Sequence, residues 1–206
     1  MKIMLLQIAA LVLVSTAIAQ GNSEAVQNFS SSTAGSVNGT VGWTFTTLNS
    51  LSVTGLGVFN YVVAGQGSIQ VGLWADNGTL LASNTITATS GFTNQTRYES
   101  IQPVLLLPGN IYHIGAFAPG GTILVDVVSP DVGGSVTISP DIHLRGTAES
   151  GGNTFGFPAE NTPLDAGIYL GPNFRYSASV PEPSTFTLFI AGSAALVTFR
   201  RRRQSP

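Results

Sequence analysis

"IQVGLWADNGTLLASNTI", residues 69–86, decides the fold. Asp76-Asn77-Gly78 are residue types that tolerate positive φ, and they stand between two runs rich in apolar and β-favouring residues. The stretch therefore predicts two antiparallel strands joined by a tight turn. Outward from it the same grammar repeats. "GWTFTT" at 42–47 alternates Trp43 and Phe45 against threonines. In "LSVTGLGVFN" at 51–60, strict alternation puts Leu51, Val53, Gly55, Gly57 and Phe59 on one face and Leu56 and Val58 on the other. Further strands are predicted at about 98–106, 111–117, 122–128, 135–138, 141–147 and 173–179, for about ten in all. No helical period runs through this part of the chain. The expected fold is all-β: a single antiparallel β-sandwich, jelly-roll-like, over residues 41–179. Residues 20–40, "QGNSEAVQNFSSSTAGSVNGT", read as a low-complexity lead-in with room for a first strand at 25–29. Residues 149–170, rich in Gly, Pro and Asn, read as a long surface loop.

Both ends carry signals. Lys2, an apolar run over residues 3–14 and the small-x-small pattern of Ala17 and Ala19 predict a signal peptide, residues 1–19, cut by signal peptidase before Gln20. The apolar core is short for an uncleaved anchor, so export is the expectation. At the other end, residues 180–206 begin with Val180-Pro181-Glu182-Pro183, continue with sixteen apolar or small residues over 184–199 and close on Arg200, Arg201, Arg202 and Arg203. Sixteen residues make a helix of about 24 Å, which just reaches across a hydrocarbon core of about 30 Å. Pro181 and Pro183 stop that helix from extending backwards, and the arginines hold its far end in the cytoplasm, leaving the body outside. The expected architecture is a sandwich flanked by a signal peptide and a C-terminal single transmembrane helix.

This tail resembles the PEP-CTERM sorting signal of Gram-negative and related bacteria, through the Val-Pro-Glu-Pro motif, the apolar run and the Arg cluster in that order. The resemblance implies recognition by an exosortase, a membrane cysteine protease that cuts near the motif and passes the body from an inner-membrane intermediate to the cell surface or extracellular matrix. The body is similar to an uncharacterised β-sandwich family of secreted bacterial proteins, through "VGWTFTT", "VTGLGVFN", "VGLWADNGTLLAS", "PVLLLPGNIYHIGA" and "GPNFRYS". That likeness supports the fold and carries no activity with it.

The overall charge of −2 conceals an asymmetry: residues 20–182 hold all ten acidic residues but only Arg97, Arg145 and Arg175, a net −7. Such a domain repels phosphate backbones, and nucleic acid is not an expected partner. The chain has no cysteine, which excludes disulfides and thiolate chemistry. No nucleophile elbow, Walker loop or His-Glu-x-x-His occurs, the carboxylates are scattered, and an enzyme is not expected. No metal site is assigned, although calcium has hard oxygen ligands in "DNG" at 76–78 and "SPDVGGS" at 129–135, neither loop carrying enough carboxylates alone. His113, in "IYHIGAF", reads as a core histidine satisfied by a backbone group. Asp141, His143 and Arg145 alternate onto one face of "DIHLRG", either as a solvated outer face or as a ligand strip, since Arg forks to carboxylate or sulfate while Asp and His bond sugar hydroxyls. Trp43 and Trp74 read as core; Phe155 and Phe157, in the Gly-rich loop, are the aromatics expected to be free for contact with a ligand such as extracellular polysaccharide. The function expected from all this is a noncatalytic structural or adhesive component of the cell envelope or matrix. A carbohydrate-binding module is the alternative and a secreted hydrolase the third reading. Four Asn-x-Ser/Thr sequons, at Asn28, Asn38, Asn77 and Asn94, suit an exposed surface.

Overall fold

The computed structural model describes residues 22–28, 39–59, 67–117, 127–128, 136–162 and 168–178. The predicted signal peptide with Ala17, Ala19 and Gln20, and the tail from Val180 to the Arg cluster, lie outside the described residues, as do most of the strand expected at 122–128 and the acidic loop at 129–135. The described chain is all strand and turn: β1 (Ser23–Glu24), β2 (Val26–Gln27), β3 (Thr40–Thr47), β4 (Leu51–Phe59), β5 (Ser68–Ala75), β6 (Leu80–Thr87), β7 (Gly91–Thr93), β8 (Thr96–Leu106), β9 (Ile111–Phe117), β10 (Val127–Val128), β11 (Thr137–Ile138), β12 (Ile142–Ser150), β13 (Glu160–Thr162), β14 (Ile168–Tyr169) and β15 (Pro172–Ala178).

Two antiparallel sheets make the sandwich. One has the order β1-β15-β4-β8-β7 and the other β13-β12-β3-β9-β5-β6, with β2-β11 and β10-β14 as two-stranded additions. The chain passes from sheet to sheet at successive connections (β3 to β4, β4 to β5, β6 to β7, β8 to β9), so the apolar faces of sequence neighbours end up opposed across one core. At the centre of that core lie Trp43, Phe45 and Phe174, with ring centroids 4.9–5.8 Å apart. The indole N–H of Trp43 donates to the Pro172 carbonyl at 2.7 Å, so its burial leaves no donor unpaired.

The β5–β6 hairpin forms where expected. Gly78 takes φ 82°, the Ala75 and Thr79 backbones close the turn, and the Asn77 Oδ1 accepts from Thr79 N at 3.0 Å. The strict alternation expected in β4 does not hold. Against β15 a bulge between Val53 and Gly55 leaves Thr54 as the extra residue, and against β8 the same step faces three residues, Ile101 to Pro103. The bulge reverses the side-chain parity, so Leu51, Val53, Leu56 and Val58 all enter the core. The β7–β8 hairpin was not expected at all. Its turn is Asn94-Gln95, both left-handed at φ 45° and 68°, without the glycine that usually marks two consecutive positive φ values.

Two segments read as loosely ordered belong to the fold. Part of the lead-in forms β1 on the edge of β15 and β2 against β11, and Ala25 and Val26 are fully buried in the core. Asn173 pins this strap as a side-chain imitation of a peptide group. Its Oδ1 accepts from Val26 N at 3.0 Å and its Nδ2 donates to Val26 O at 2.9 Å and to the Tyr98 hydroxyl at 2.8 Å. The expected surface loop at 149–170 starts as the end of β12, pairs again as β13, and in between folds back over the six-stranded sheet.

Candidate functional site

The fold-back has a floor made for it. Gly42, Gly115 and Gly72 are register partners across β3, β9 and β5, so three adjacent strands present bare backbone on the face away from the core. A Cβ on Gly72 would overlap the Trp74 indole and lie 2.7 Å from the Phe155 ring, and one on Gly115 would lie 3.2 Å from Pro158. The aromatic rings occupy that space. Trp74, only 3% exposed, is buried by the covering segment and not by the sandwich core, with Phe155 at 5.1 Å and Phe157 at 6.5 Å between centroids. Gly156 N donates to the Thr40 Oγ1 at 3.0 Å and fastens the segment's middle.

His113 stands at the border of this cluster, 4% exposed, with Phe157 edge-on at 4.7 Å. Its Nδ1 lies 3.0 Å from the Pro158 carbonyl and its Nε2 lies 3.1 Å from the Asp76 Oδ1. Each ring nitrogen therefore faces an oxygen that accepts, and whichever nitrogen carries a proton donates to it. The pair joins the β5–β6 turn, the middle of the sheet and the covering segment. Of the "DNG" oxygens considered for calcium, the Asp76 Oδ1 faces His113 and the Asn77 Oδ1 accepts within its own turn. Among the described residues no group of three or more His, Asp or Glu gathers in metal-ligating range.

The sequence-predicted residues separate accordingly. Phe155 and Phe157 are not free loop aromatics: both are half-buried against Trp74, because the glycine floor gives them a surface to pack on. Asp141, His143 and Arg145 do not form one strip. Asp141 sits in the turn before β12, where its carboxylate accepts from the Tyr176 hydroxyl at 3.0 Å and from Asn49 Nδ2 at 3.1 Å. A register shift between Leu144 and Gly146 makes Arg145 the extra residue of a bulge, and it stands exposed, as does His143.

Sequence reasoning missed a second locus altogether. Glu24 in β1 is the register partner of Arg175 in β15, with Oε1 3.4 Å from the guanidinium and Oε2 accepting from Asn94 Nδ2 at 3.2 Å. Arg175 lies over the Tyr98 ring at 3.9 Å, and that ring crosses Gly57, where any Cβ would strike it. Burial first and Glu24 second push the Tyr98 phenol well above its usual range. Over this ion pair opens a cleft of about 410 Å³ lined by residues with polar side chains, Asn22, Gln27, Asn28 and Asn94 among them. No pattern in the sequence announces it, since Glu24 lies in the low-complexity segment and its partner is 151 residues away.

Residues 24–163 match the family described as a domain of unknown function (DUF4082). The chain belongs to that family. The match begins at Glu24, within β1, in agreement with the strap's place in the core. Residues 179–203 match the PEP-CTERM protein-sorting motif, directly after β15. The motif implies export towards the cell surface by way of the membrane and handling by the exosortase processing machinery. No curated protein matches the chain.

Proposed function

We propose that this DUF4082 member is a noncatalytic structural or adhesive component of the cell envelope or extracellular matrix, released from an inner-membrane intermediate after its signal peptide and tail are removed. One observation supports the noncatalytic reading: among the described residues, three side chains suited to chemistry are engaged in holding the fold. His113 is tied to Asp76 and Pro158, Asp141 to Tyr176 and Asn49, and Glu24 to Arg175 and Asn94. The test is the intact mass of the protein in inner-membrane, outer-envelope and medium fractions of its host. The expected body lacks residues 1–19 and the apolar tail and stays with the surface or matrix. A mass retaining 184–206, found only in the inner membrane, refutes the reading. So does hydrolysis of a glycan or peptide that is lost on His113→Ala.

The polar cleft favours carbohydrate binding as a second reading. Its formal charges cancel, and carboxamides both donate and accept, as sugar hydroxyls do. Saturation-transfer NMR with glucose, galactose, mannose and N-acetylglucosamine tests it. Signals that fall on Asn94→Gly, which keeps the left-handed backbone and removes the amide, support the cleft. Signals that persist in that variant but vanish on Phe155→Ala place binding on the other face, and no signal refutes it.

A further inference from the structure

The end of the sandwich from which the tail departs is apolar. In the five-stranded sheet Ala178 is the register partner of Leu51, and Leu51 of Leu106, so the last residue of β15, the first of β4 and the last of β8 lie side by side. The turns that continue from these positions carry Leu48, 59% exposed, and Leu107, 48% exposed, and Leu105 at the strand end is 57% exposed. The described residues hold five large exposed apolar side chains, and three of them are at this one end. Single exposed leucines are ordinary on a protein surface, but three gathered where the chain exits need an occupant.

We infer that Leu48, Leu105 and Leu107 rest in the lipid interface while the protein is still anchored. The inference depends on the anchored intermediate of the proposed function, and the tether supplies its main support. Only residues 179–183 separate β15 from the apolar run at 184–199, and five residues extend no further than about 17 Å. Pro181 and Pro183 favour an extended, stiff connection without lengthening it. The end carrying Ala178 is therefore always near the membrane surface, whichever way the body tilts. Held at that effective concentration, three leucines need little intrinsic affinity for lipid. Docking would hold the Pro-Glu-Pro motif at the membrane, within reach of a membrane protease, and cleavage would free the apolar tip with the body.

The chain has no cysteine, so single cysteines can be placed at will. The full chain, reconstituted in phosphatidylethanolamine/phosphatidylglycerol vesicles, would carry a polarity-sensitive fluorophore at Leu48→Cys, Leu107→Cys or, in β7 beside the far end of β8, Thr93→Cys. The expected result is blue-shifted emission and at least about twofold quenching by nitroxide-bearing lipid at the first two sites and neither effect at the third. A label at Asn49→Cys should lose its quenching when Leu48, Leu105 and Leu107 are all changed to serine. Tip labels as wet as the Thr93 label on a chain that floats with the vesicles overturn the inference and leave the anchor standing. A chain that does not float overturns the anchor and the inference with it. Shielding that grows with protein density and ignores lipid quencher assigns the tip to a second copy and overturns the lipid occupant.

Discussion

Asn173→Ala is the sharpest probe of how the strap is held. The side chain is fully buried and makes four hydrogen bonds, to Val26 N, Val26 O, the Tyr98 hydroxyl and the adjacent Phe174 N, all between 2.8 and 3.0 Å. Truncation leaves both backbone groups of Val26 and the Tyr98 oxygen without these partners, at about 1–3 kcal/mol for each buried orphan. The vacated amide leaves room for a water that recovers part of this, so the expected loss is about 3 kcal/mol. In a domain of this size that lowers Tm by about 6–12 °C. Urea denaturation of the full chain followed by tryptophan emission would measure it, with Asn84→Ala as the comparison. Asn84 is a partly exposed asparagine whose side chain donates to Ser100 O, and its loss should stay within about 0.5 kcal/mol. A change below about 1 kcal/mol in Asn173→Ala would refute the claim that this amide pins the strap.

Phe155→Ala should uncover Trp74 while Trp43 stays enclosed, giving a red shift and greater acrylamide quenching; an unchanged spectrum would mean the covering segment does not shield the indole. Gly42→Ala should be far more damaging than Gly72→Ala, because the first Cβ meets the Ile114 backbone carbonyl and the second meets movable rings; equal melting points would contradict the packing of the glycine floor. Alkaline pH should destabilise the protein. Tyr98 and Tyr176 both hold their phenolic protons more tightly when folded, mainly through burial, so their contribution is complete below the unfolded value of about 10 and is lost as pH rises above it. Urea midpoints from pH 8 upwards should fall above about pH 10, and less steeply in Tyr98→Phe; a midpoint that does not respond to pH there would remove the argument.

Much of the fold was legible because alternation and turn chemistry are local. The β5–β6 hairpin, β9 and the core placement of Trp43 and Phe45 needed no information beyond their own neighbours. Where strict alternation failed, a bulge was responsible: Thr54 in β4 and Arg145 in β12 each add one residue, and the pattern of small and hydroxyl residues around them does not reveal which one is extra. The strap was legible only as room for a strand at 25–29, because its place in the core is held by Asn173, 147 residues away, and not by any propensity of "SEAVQ". The site was least legible for the same reason. A loop phenylalanine reads as free until the glycines that receive it, on three separate strands, are seen to be aligned. The Glu24–Arg175 pair likewise exists only after the first and last strands meet.

That meeting fixes where the tail can be cut. β15 lies between β1 and β4, so the five-stranded sheet stays incomplete until residues 172–178 have crossed the membrane, and it completes only with the apolar run following immediately behind. β15 supplies the Pro172 carbonyl for the Trp43 indole, the Phe174 ring in the central stack and the Tyr176 hydroxyl for Asp141. A chain ending at Leu170 loses all three and exposes the edge of β4, and should be recovered unfolded or aggregated. A chain ending at Ser179 keeps them and should unfold cooperatively. The sorting motif begins just past this boundary, so a cut at Pro181–Pro183 removes the tail without touching the sandwich. If the shorter chain folded with native tryptophan emission, β15 would be dispensable, and the match between strand end and motif would be a coincidence of spacing.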